Sequence, residues 1–307
     1  STTAGVFHGC GHDGHVTMLL AAARYLASGP PLPGVVNFIF QPAEEGRAGA
    51  QAMIEDGLFE RFPCERVFAL HNWPGLAEGS IGARAGAIMA ASDTWSLELQ
   101  GRGGHAAFPH ETVDPVVVGA QIVSAYQTLV SRSRDPLRAA VLSTTCFHAG
   151  SALNVIPGQA VLRGTVRSLD AALRDQIEAD MERMAASIAE AFGAKSTLRY
   201  TRGYPVTVND AAATALATRA AASVVGEAQV FADLDPAMGS EDFAYLLQHR
   251  PGCYLWLGQG GGPTACGLHN PHYDFNDRVL PLGASLHVAL ARQASREDQP
   301  DSGDPPG

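Results

Sequence analysis

The sequence predicts an α/β protein built from two domains. Three short apolar runs, at residues 35–40, 67–70 and 253–258, are rich in β-branched or aromatic residues and end at polar or glycine-rich segments. Such runs are typical of buried strands in a parallel sheet. From about residue 87 to residue 202 the pattern changes to strand, helix, strand, strand, helix, strand, which indicates a separate α+β unit. A chain of 307 residues is long enough for two compact domains.

Helical periodicity and end signals locate the remaining elements. Residues 16–28 are rich in alanine and leucine and are followed by Gly29 and Pro30, which predicts a helix and its end. Asp170 is a suitable N-cap for a second helix. The apolar stripe of that helix recurs at three- and four-residue intervals: Ile177, Met181, Met184 and Ile188. We also predict helices at about 210–225, 240–248 and 279–293.

These elements predict the domain boundaries. Residues 1–86 and 203–292 form one discontinuous domain, and residues 87–202 form a domain inserted into it. Residues 293–307 are polar, acidic and contain prolines, so we expect a disordered tail.

The segment from His8 to His15, HGCGHDGH, carries three imidazoles, a thiol and a carboxylate between glycines. Sulfur, nitrogen and oxygen atoms of these types bind borderline divalent metals, and glycines allow a tight loop to direct them to one point. A polar loop whose histidines only form hydrogen bonds is the alternative. The segment also lacks the ligand spacings of small structural zinc sites, so a metal here requires ligands from elsewhere in the chain.

Further candidate ligands follow the three predicted strands. Glu44 and Glu45 come after the first strand, His71 directly after the second, and His269 after the third and a glycine-rich stretch. Open α/β sheets bind ligands at the carboxyl ends of their strands, so these residues can converge. A shared metal centre is therefore predicted from five residues: Cys10, His12, Glu45, His71 and His269.

Composition restricts the class of protein. The 21 basic and 31 acidic residues give a net charge of −10, which argues against binding to nucleic acid or to an anionic membrane. No apolar run approaches the ~20 residues that span a bilayer, and there is no signal-peptide pattern. The five cysteines have no regular spacing, which favours a reducing compartment over a disulfide framework. We therefore expect a cytoplasmic protein.

Seven motifs, in order, resemble the M20 metallopeptidase family, and within it the amidohydrolase branch that includes hippurate hydrolases and auxin-conjugate hydrolases. The resemblance extends from about residue 5 to about residue 292. The motifs are HGCGHDGH (8–15), FQPAEEG (40–46), HNWPGL (71–76), GRGGHAAFPH (101–110), SALNVIPG (151–158), GSEDFAYLL (239–247) and GLHNPHYDFND (267–277).

The resemblance implies a zinc-peptidase-like catalytic domain, with a mixed, largely parallel sheet flanked by helices, and a small inserted α+β lid domain through which a homodimer forms. It implies that the five candidate ligands hold two divalent metal ions, chosen among Mn, Zn, Co and Ni. Glu44 would be the general base that acts on a metal-activated water, and His105 would stabilise the developing oxyanion.

An amidase for N-acyl amino acids must also bind the free carboxylate of its substrate. Asn154 resembles a substrate-binding position of the family. Arg163 or Arg167 could supply a bidentate guanidinium, although an exposed strand arginine is the alternative for each.

The function implied is hydrolysis of an N-acyl or N-aroyl amino acid, such as hippurate, to a carboxylic acid and a free amino acid. Family members carry roughly a hundred residues before the position matched by His8, so the sequence is expected to represent a member lacking its amino-terminal part. A non-catalytic truncated or dimerising protein with an incomplete metal site, and a dipeptidase, are the alternatives.

Overall fold

The computed structural model describes residues 4–7, 9–261 and 266–297. The chain forms two compact units. The first, which we call the discontinuous unit, comprises Ser1–Ile88, Val208–Asp235 and Asp242–Gly307, and the second, the inserted unit, comprises Met89–Thr207 and Pro236–Glu241. Within the described residues, no helix combines the length and apolarity needed to cross a bilayer.

The sheet of the discontinuous unit is mixed, as predicted. Its strand order is β1-β12-β2-β11. The strands are β1 (Val67–Trp73), β2 (Ile81–Gly82), β11 (Val230–Phe231) and β12 (Gly252–Gly258). Strands β1 and β12 run parallel with His71 opposite Trp256, β11 is parallel to β2, and β2 is antiparallel to β12. The predicted strands at 67–70 and 253–258 are thereby confirmed, and their carboxyl ends share one edge.

The same unit contains several helices. They are α1 (His12–Ser28), α2 (Glu44–Arg47), α3 (Gly49–Glu55), α4 (Leu58–Arg61), α7 (Ala211–Val225), α8 (Phe243–His249) and α9 (Leu280–Glu297). Of these, α1, α7, α8 and α9 contact the sheet or its core. A buried core joins α1, α7 and α9 to one face of the sheet through Met18, Ala217, Leu286, Leu70 and Leu255. Because side chains alternate along a strand, His71 and Tyr254 project from the other face, where Phe243 of α8 lies 5.9 Å from the Tyr254 ring.

The prediction of a buried strand at 35–40 is wrong. No β-ladder includes these residues, and Val35 is 83% exposed. A strand exists through its hydrogen-bonded neighbour, and no described segment pairs along this one. The Asn37 side chain instead donates to the carbonyl of Pro63 (3.1 Å). Strand-like composition alone therefore did not produce a strand.

Three other boundaries differ from the predictions. Helix α1 begins at His12, four residues before the predicted start, and Pro236–Glu241 joins the inserted unit, where Ala90 donates to the carbonyls of Ala237 and Gly239. Helix α9 continues to Glu297, so residues 293–297 are helical rather than part of a tail, because Ala294 packs against the core. Residues 298–307 lie outside the described residues.

The inserted unit is a two-layer α+β structure. A four-stranded antiparallel sheet has the order β6-β8-β4-β9. Its strands are β4 (Ala91–Gln100), β6 (Ala140–Ala149), β8 (Gln159–Ser168) and β9 (Lys195–Arg202). Helices α5 (Pro115–Ser131) and α6 (Ala171–Ala191) share one buried core with this sheet. Asp114 and Asp170 cap these helices by accepting from the backbone N–H groups of Val116 and Leu173.

Four short strands complete the secondary structure. They are β3 (Gly86–Met89), β5 (Gly104–His105), β7 (Val155–Ile156) and β10 (Thr207–Asn209). They form two small sheets, in which β3 pairs with β10 and β5 pairs with β7.

Candidate functional site

The glycine loop before α1 sets the positions of Cys10 and His12. Gly11 has a left-handed backbone (φ 74°) and precedes the first residue of the helix. A Cβ at Gly11 would lie 2.6 Å from Tyr273 Oη, so both the backbone and the space require glycine. The loop leaves Cys10 buried and starts α1 at His12, with His15 one turn later on the same side of the helix.

Glu44 and Glu45 lie on a tight turn. Left-handed backbone at Ala43 (φ 52°), Gly46 (φ 82°) and Ala48 (φ 51°) reverses the chain around them. The turn places both carboxylates beside His12. The Nε2 of His12 is 3.9 Å from Glu44 Oε2, and its Nδ1 is 3.7 Å from Glu45 Oε1.

The two remaining candidate ligands come from distant parts of the chain. His71 is buried within β1 rather than beyond it, and its Nδ1 is 2.6 Å from the carbonyl oxygen of Asn72. His269 has a left-handed backbone (φ 64°), donates its N–H to the carbonyl of Gly9 (2.7 Å), and holds its Nε2 2.8 Å from Cys10 Sγ.

Potential ligand atoms converge in overlapping groups. Within each group the atoms lie within 4.8 Å of one another. Three of these groups contain predicted ligands: Cys10, His12 and His71; Cys10, Glu45 and His269; and His12, Glu44 and Glu45. Two ligands that each lie about 2.0–2.3 Å from one ion are at most about 4.6 Å apart, so the groups are close to the size that one ion requires. The structure thus brings together all five predicted ligands and Glu44, and the first two groups share Cys10. The mixed S, N and O set fits a borderline divalent metal.

Polar residues behind this cluster hold it in place. Asn72 is fully buried, donates its side-chain N–H to the carbonyl of Cys10, and accepts from Tyr273 Oη (2.8 Å). The backbone N–H of Asn72 donates to His15 Nε2 (3.0 Å), and the His15 ring lies 4.3 Å from the His71 ring. Burial, followed by the neighbouring His71, lowers the pKa of His15 well below its ordinary value.

Sequence reasoning missed Asn72 and Tyr273, and it did not include His15 among the residues of the predicted site. A polar asparagine inside an otherwise buried strand was the available signal for Asn72. His8, the first residue of the motif, lies outside the described residues.

In the inserted unit, the strand pair β5 and β7 presents His105. The side chain is exposed, and its Nδ1 accepts from the N–H of Ala107 (3.0 Å), so the neutral ring carries its proton on Nε2. Ala106 donates to the carbonyl of Asn154 (3.0 Å), which brings the predicted substrate residue beside His105.

The structure does not bring Arg163 and Arg167 to His105. Both project from the face of β8 that α5 and α6 leave uncovered, since the alternating residues Leu162 and Val166 belong to the helix-covered core. The Gln159 end of β8 is the end near β5 and β7, because Gly101 donates to the carbonyl of Gly158. Arg163 lies four residues from Gln159 and Arg167 eight, which is about 13 and 26 Å at the rise of a strand.

Known proteins resemble this chain along its length. Residues 1–293 match Peptidase family M20/M25/M40. The hippurate hydrolase of Campylobacter jejuni is 40% identical over 286 residues, which are 93% of this chain and 74% of that protein. The IAA-amino acid hydrolase ILR1-like 4 of Arabidopsis thaliana is 35% identical over 95% of this chain and 67% of its own length.

A solved structure gives the same picture for the fold. The YXEP protein of Bacillus subtilis, described as a dinuclear metal-binding peptidase from the M20 family, superposes with a TM-score of 0.82 at 31% identity. The match covers 96% of this chain and 75% of that one.

Proposed function

Because the chain belongs to peptidase family M20/M25/M40, in its amidohydrolase branch, we propose that it hydrolyses the amide bond of N-acyl or N-aroyl amino acids such as hippurate. The products are a carboxylic acid and a free amino acid. Family membership supports metal-dependent amidohydrolase activity in general. The structural observation that carries the proposed metal-dependent hydrolysis is the convergence of S, N and O ligand atoms around Cys10 and His12, beside the carboxylate of Glu44.

Five residues would hold two divalent ions, of Mn, Zn, Co or Ni: Cys10, His12, Glu45, His71 and His269. When bound, such ions supply Lewis acidity, which lowers the pKa of water and polarises the scissile carbonyl. Asn72 and His15 contribute by orienting the segments that carry Cys10 and His71.

Glu44 is the proposed general base. Of the two adjacent glutamates its side chain is less exposed, at 18% against 45% for Glu45. Glu45 can then serve as a ligand, while Glu44 takes a proton from the attacking water and later passes it to the leaving nitrogen.

His105 is proposed to stabilise the oxyanion. Because Nδ1 accepts from Ala107, the Nε2–H is the donor that this ring can offer to the developing negative charge on the substrate oxygen. Asn154 is proposed to bind substrate beside it. Arg163 or Arg167 remains the proposed partner of the substrate carboxylate, and Arg163 is the nearer of the two to the end of β8 beside β5 and β7.

An aromatic surface next to the ligand cluster supports an aroyl substrate. Trp73 is half-buried, and its ring lies 6.5 Å from that of His71 and stacks on Trp256 at 4.0 Å. Flat apolar rings of this kind favour an aromatic acyl group over a small aliphatic one.

A homodimer through the inserted unit and a cytoplasmic location are part of the proposal. The ten-residue strand β6 lies at one edge of its sheet, and an open edge can pair with another chain. Sedimentation velocity of the purified protein tests the dimer.

The test of function is hydrolysis of hippurate by Mn²⁺- and Zn²⁺-loaded protein, compared with the Glu44→Gln variant. We expect turnover that falls on the order of 10³-fold in this variant, because it loses the general base, while metal content is unchanged. Glu55→Gln, on helix α3, is the matched control and should keep full activity.

Unchanged turnover in Glu44→Gln would contradict the mechanism. Hydrolysis of dipeptides in preference to N-acyl amino acids would identify a dipeptidase. Metal binding without hydrolysis of either class would identify a non-catalytic protein.

A further inference from the structure

Asp242 is a buried carboxylate that the proposed mechanism does not use. It is fully buried and occupies the N-cap position of α8. An aspartate at this position ordinarily accepts from the N–H groups of its own helix, as Asp210 does at the start of α7 by accepting from Ala213. Asp242 makes no such bond. Its side chain accepts hydrogen bonds from another segment of the chain instead.

That segment is the turn carrying Glu44 and Glu45. Asp242 Oδ1 accepts from the side-chain amide of Gln41, and Oδ2 accepts from the backbone N–H of Ala50 (2.9 Å). Gln41 precedes the turn and Ala50 follows it. One carboxylate therefore joins the two sides of the turn, with a separate oxygen for each.

The two ends of the turn, at Pro42 and Gly49, also lie close together. A Cβ built on Gly49 would lie 1.7 Å from the carbonyl oxygen of Pro42, so the backbone segments at these two ends are in contact. Between them, Ala43 and Ala48 adopt left-handed backbone, which is costly for a residue with a side chain. Such a conformation persists only if the surroundings hold it. The hydrogen bonds from Gln41 and Ala50 to Asp242, which we call the Asp242 clasp, lie where the turn needs that constraint.

We propose that Asp242 is a positioning residue for the general base, acting through the 43–48 turn. This inference rests on the proposed function only in identifying Glu44 as the base. A carboxylate oxygen of Asp242 lies within 4.8 Å of one of Glu44, so the residue that holds the turn stands next to the reacting carboxylate. The chemistry requires a carboxylate at position 242, because two N–H donors approach its two oxygens. An amide of the same shape would offer one oxygen and would set an NH₂ group against the other donor.

The first experiment measures order in the turn, without substrate. In metal-free protein, hydrogen exchange of amides 43–49 is compared among wild type, Asp242→Asn, Gln41→Met and the matched control Asp210→Asn. We expect exchange at least about tenfold faster in the first two variants, with protection of α8 unchanged, since only the clasp is lost. Asp210→Asn should leave residues 43–49 unaltered. Unchanged exchange in Asp242→Asn overturns the proposal, whatever the substrate of the protein.

The second experiment separates positioning from general stability. With hippurate at saturating Mn²⁺, Asp242→Asn should lower kcat by about tenfold to a hundredfold, the scale of a misplaced catalytic group, with KM changed less than about twofold. In the Glu44→Gln background the same substitution should change the residual kcat less than about twofold, because there is no base left to position.

An equal loss of kcat in both backgrounds would overturn the positioning role. If wild-type protein hydrolyses no N-acyl amino acid, the proposed function fails, and the exchange experiment still decides whether Asp242 orders the turn.

Discussion

Two polar clusters, one buried in the inserted unit and one partly exposed in the discontinuous unit, satisfy their charges in opposite ways. In the inserted unit, Asp93 is 1% exposed and accepts from Arg174 Nε (2.9 Å) and from Tyr200 Oη (2.7 Å). It also accepts from the N–H of Gly203 (3.1 Å), whose carbonyl in turn accepts from Arg174 (3.0 Å). Every partner is supplied by the chain at hydrogen-bonding distance.

The ligand cluster of the discontinuous unit differs in composition, and its carboxylates lie farther from their nearest cationic partner. It brings together groups that bind cations, and the ionic contacts of Glu44 and Glu45 with His12 are 3.9 and 3.7 Å long. A structural polar network such as that of Asp93 supplies its own counter-charge, whereas a metal centre arranges ligand atoms for an ion.

The largest effect is expected from a substitution of Asp93. We expect Asp93→Asn to lower the free energy of unfolding by about 3 kcal/mol, because the buried Arg174 loses its counter-charge. Urea denaturation measures this. Asp175→Asn, which weakens the exposed ion pair with Arg202, is the control and should cost less than about 1 kcal/mol. Equal losses in the two variants would show that the Asp93 network is not a special source of stability.

Acid should weaken the discontinuous unit through a buried histidine near the ligand cluster. Burial lowers the pKa of His287 in α9 to about 4. The unfolded chain has a histidine pKa of about 6.5, so it binds the proton first as pH falls. The stability contributed by the neutral ring is complete above pH ~6.5 and is lost progressively as pH falls towards ~4.

The free energy of unfolding of wild type should therefore fall by about 3 kcal/mol over that interval through His287, and that of His287→Leu should fall less. A decline due to His15, whose pKa is also lowered, should remain. The exposed His110→Leu serves as the control and should follow the wild-type curve. Identical pH dependence in His287→Leu would remove His287 as a cause.

In the ligand cluster, Cys10→Ser tests whether the thiolate binds metal. We expect Mn²⁺ or Zn²⁺ affinity to fall at least roughly tenfold, since loss of even an outer partner of a metal site has that effect. Chelator competition measures the affinity. Cys64→Ser, which changes a half-buried thiol outside the cluster, should bind metal as wild type does. Equal affinity of Cys10→Ser and wild type would exclude the thiolate as a ligand.

Local patterns predicted much of this structure. Helix α6 begins after Asp170 and buries Ile177 and Met181, as the cap and the stripe indicate. The strands at 67–70 and 253–258 form with their carboxyl ends together. Each prediction depended on residues a few positions apart, where propensity, capping and periodicity act.

The predictions failed where a distant partner decides the outcome. Residues 35–40 have strand-like composition but no ladder, and α9 runs past residue 292 because Ala294 packs on the core. Asp242 stands at the N-cap position of α8, where an aspartate ordinarily caps its own helix. Its role in holding the turn became visible only when Gln41 and Ala50 were found on its two oxygens.

The sequence by itself determined which chemistry is present and how neighbouring groups are spaced. His12 and His15 share one side of α1, and Glu44 and Glu45 share one turn, because short spacings are set by local backbone geometry. Only the tertiary structure decided that Cys10 meets His269, 259 residues away, and that Tyr273 meets Asn72 across 201 residues. The reason is physical: such contacts carry a loop-closure cost that no local preference offsets, so they form only when the packed sheet and helices bring those segments together.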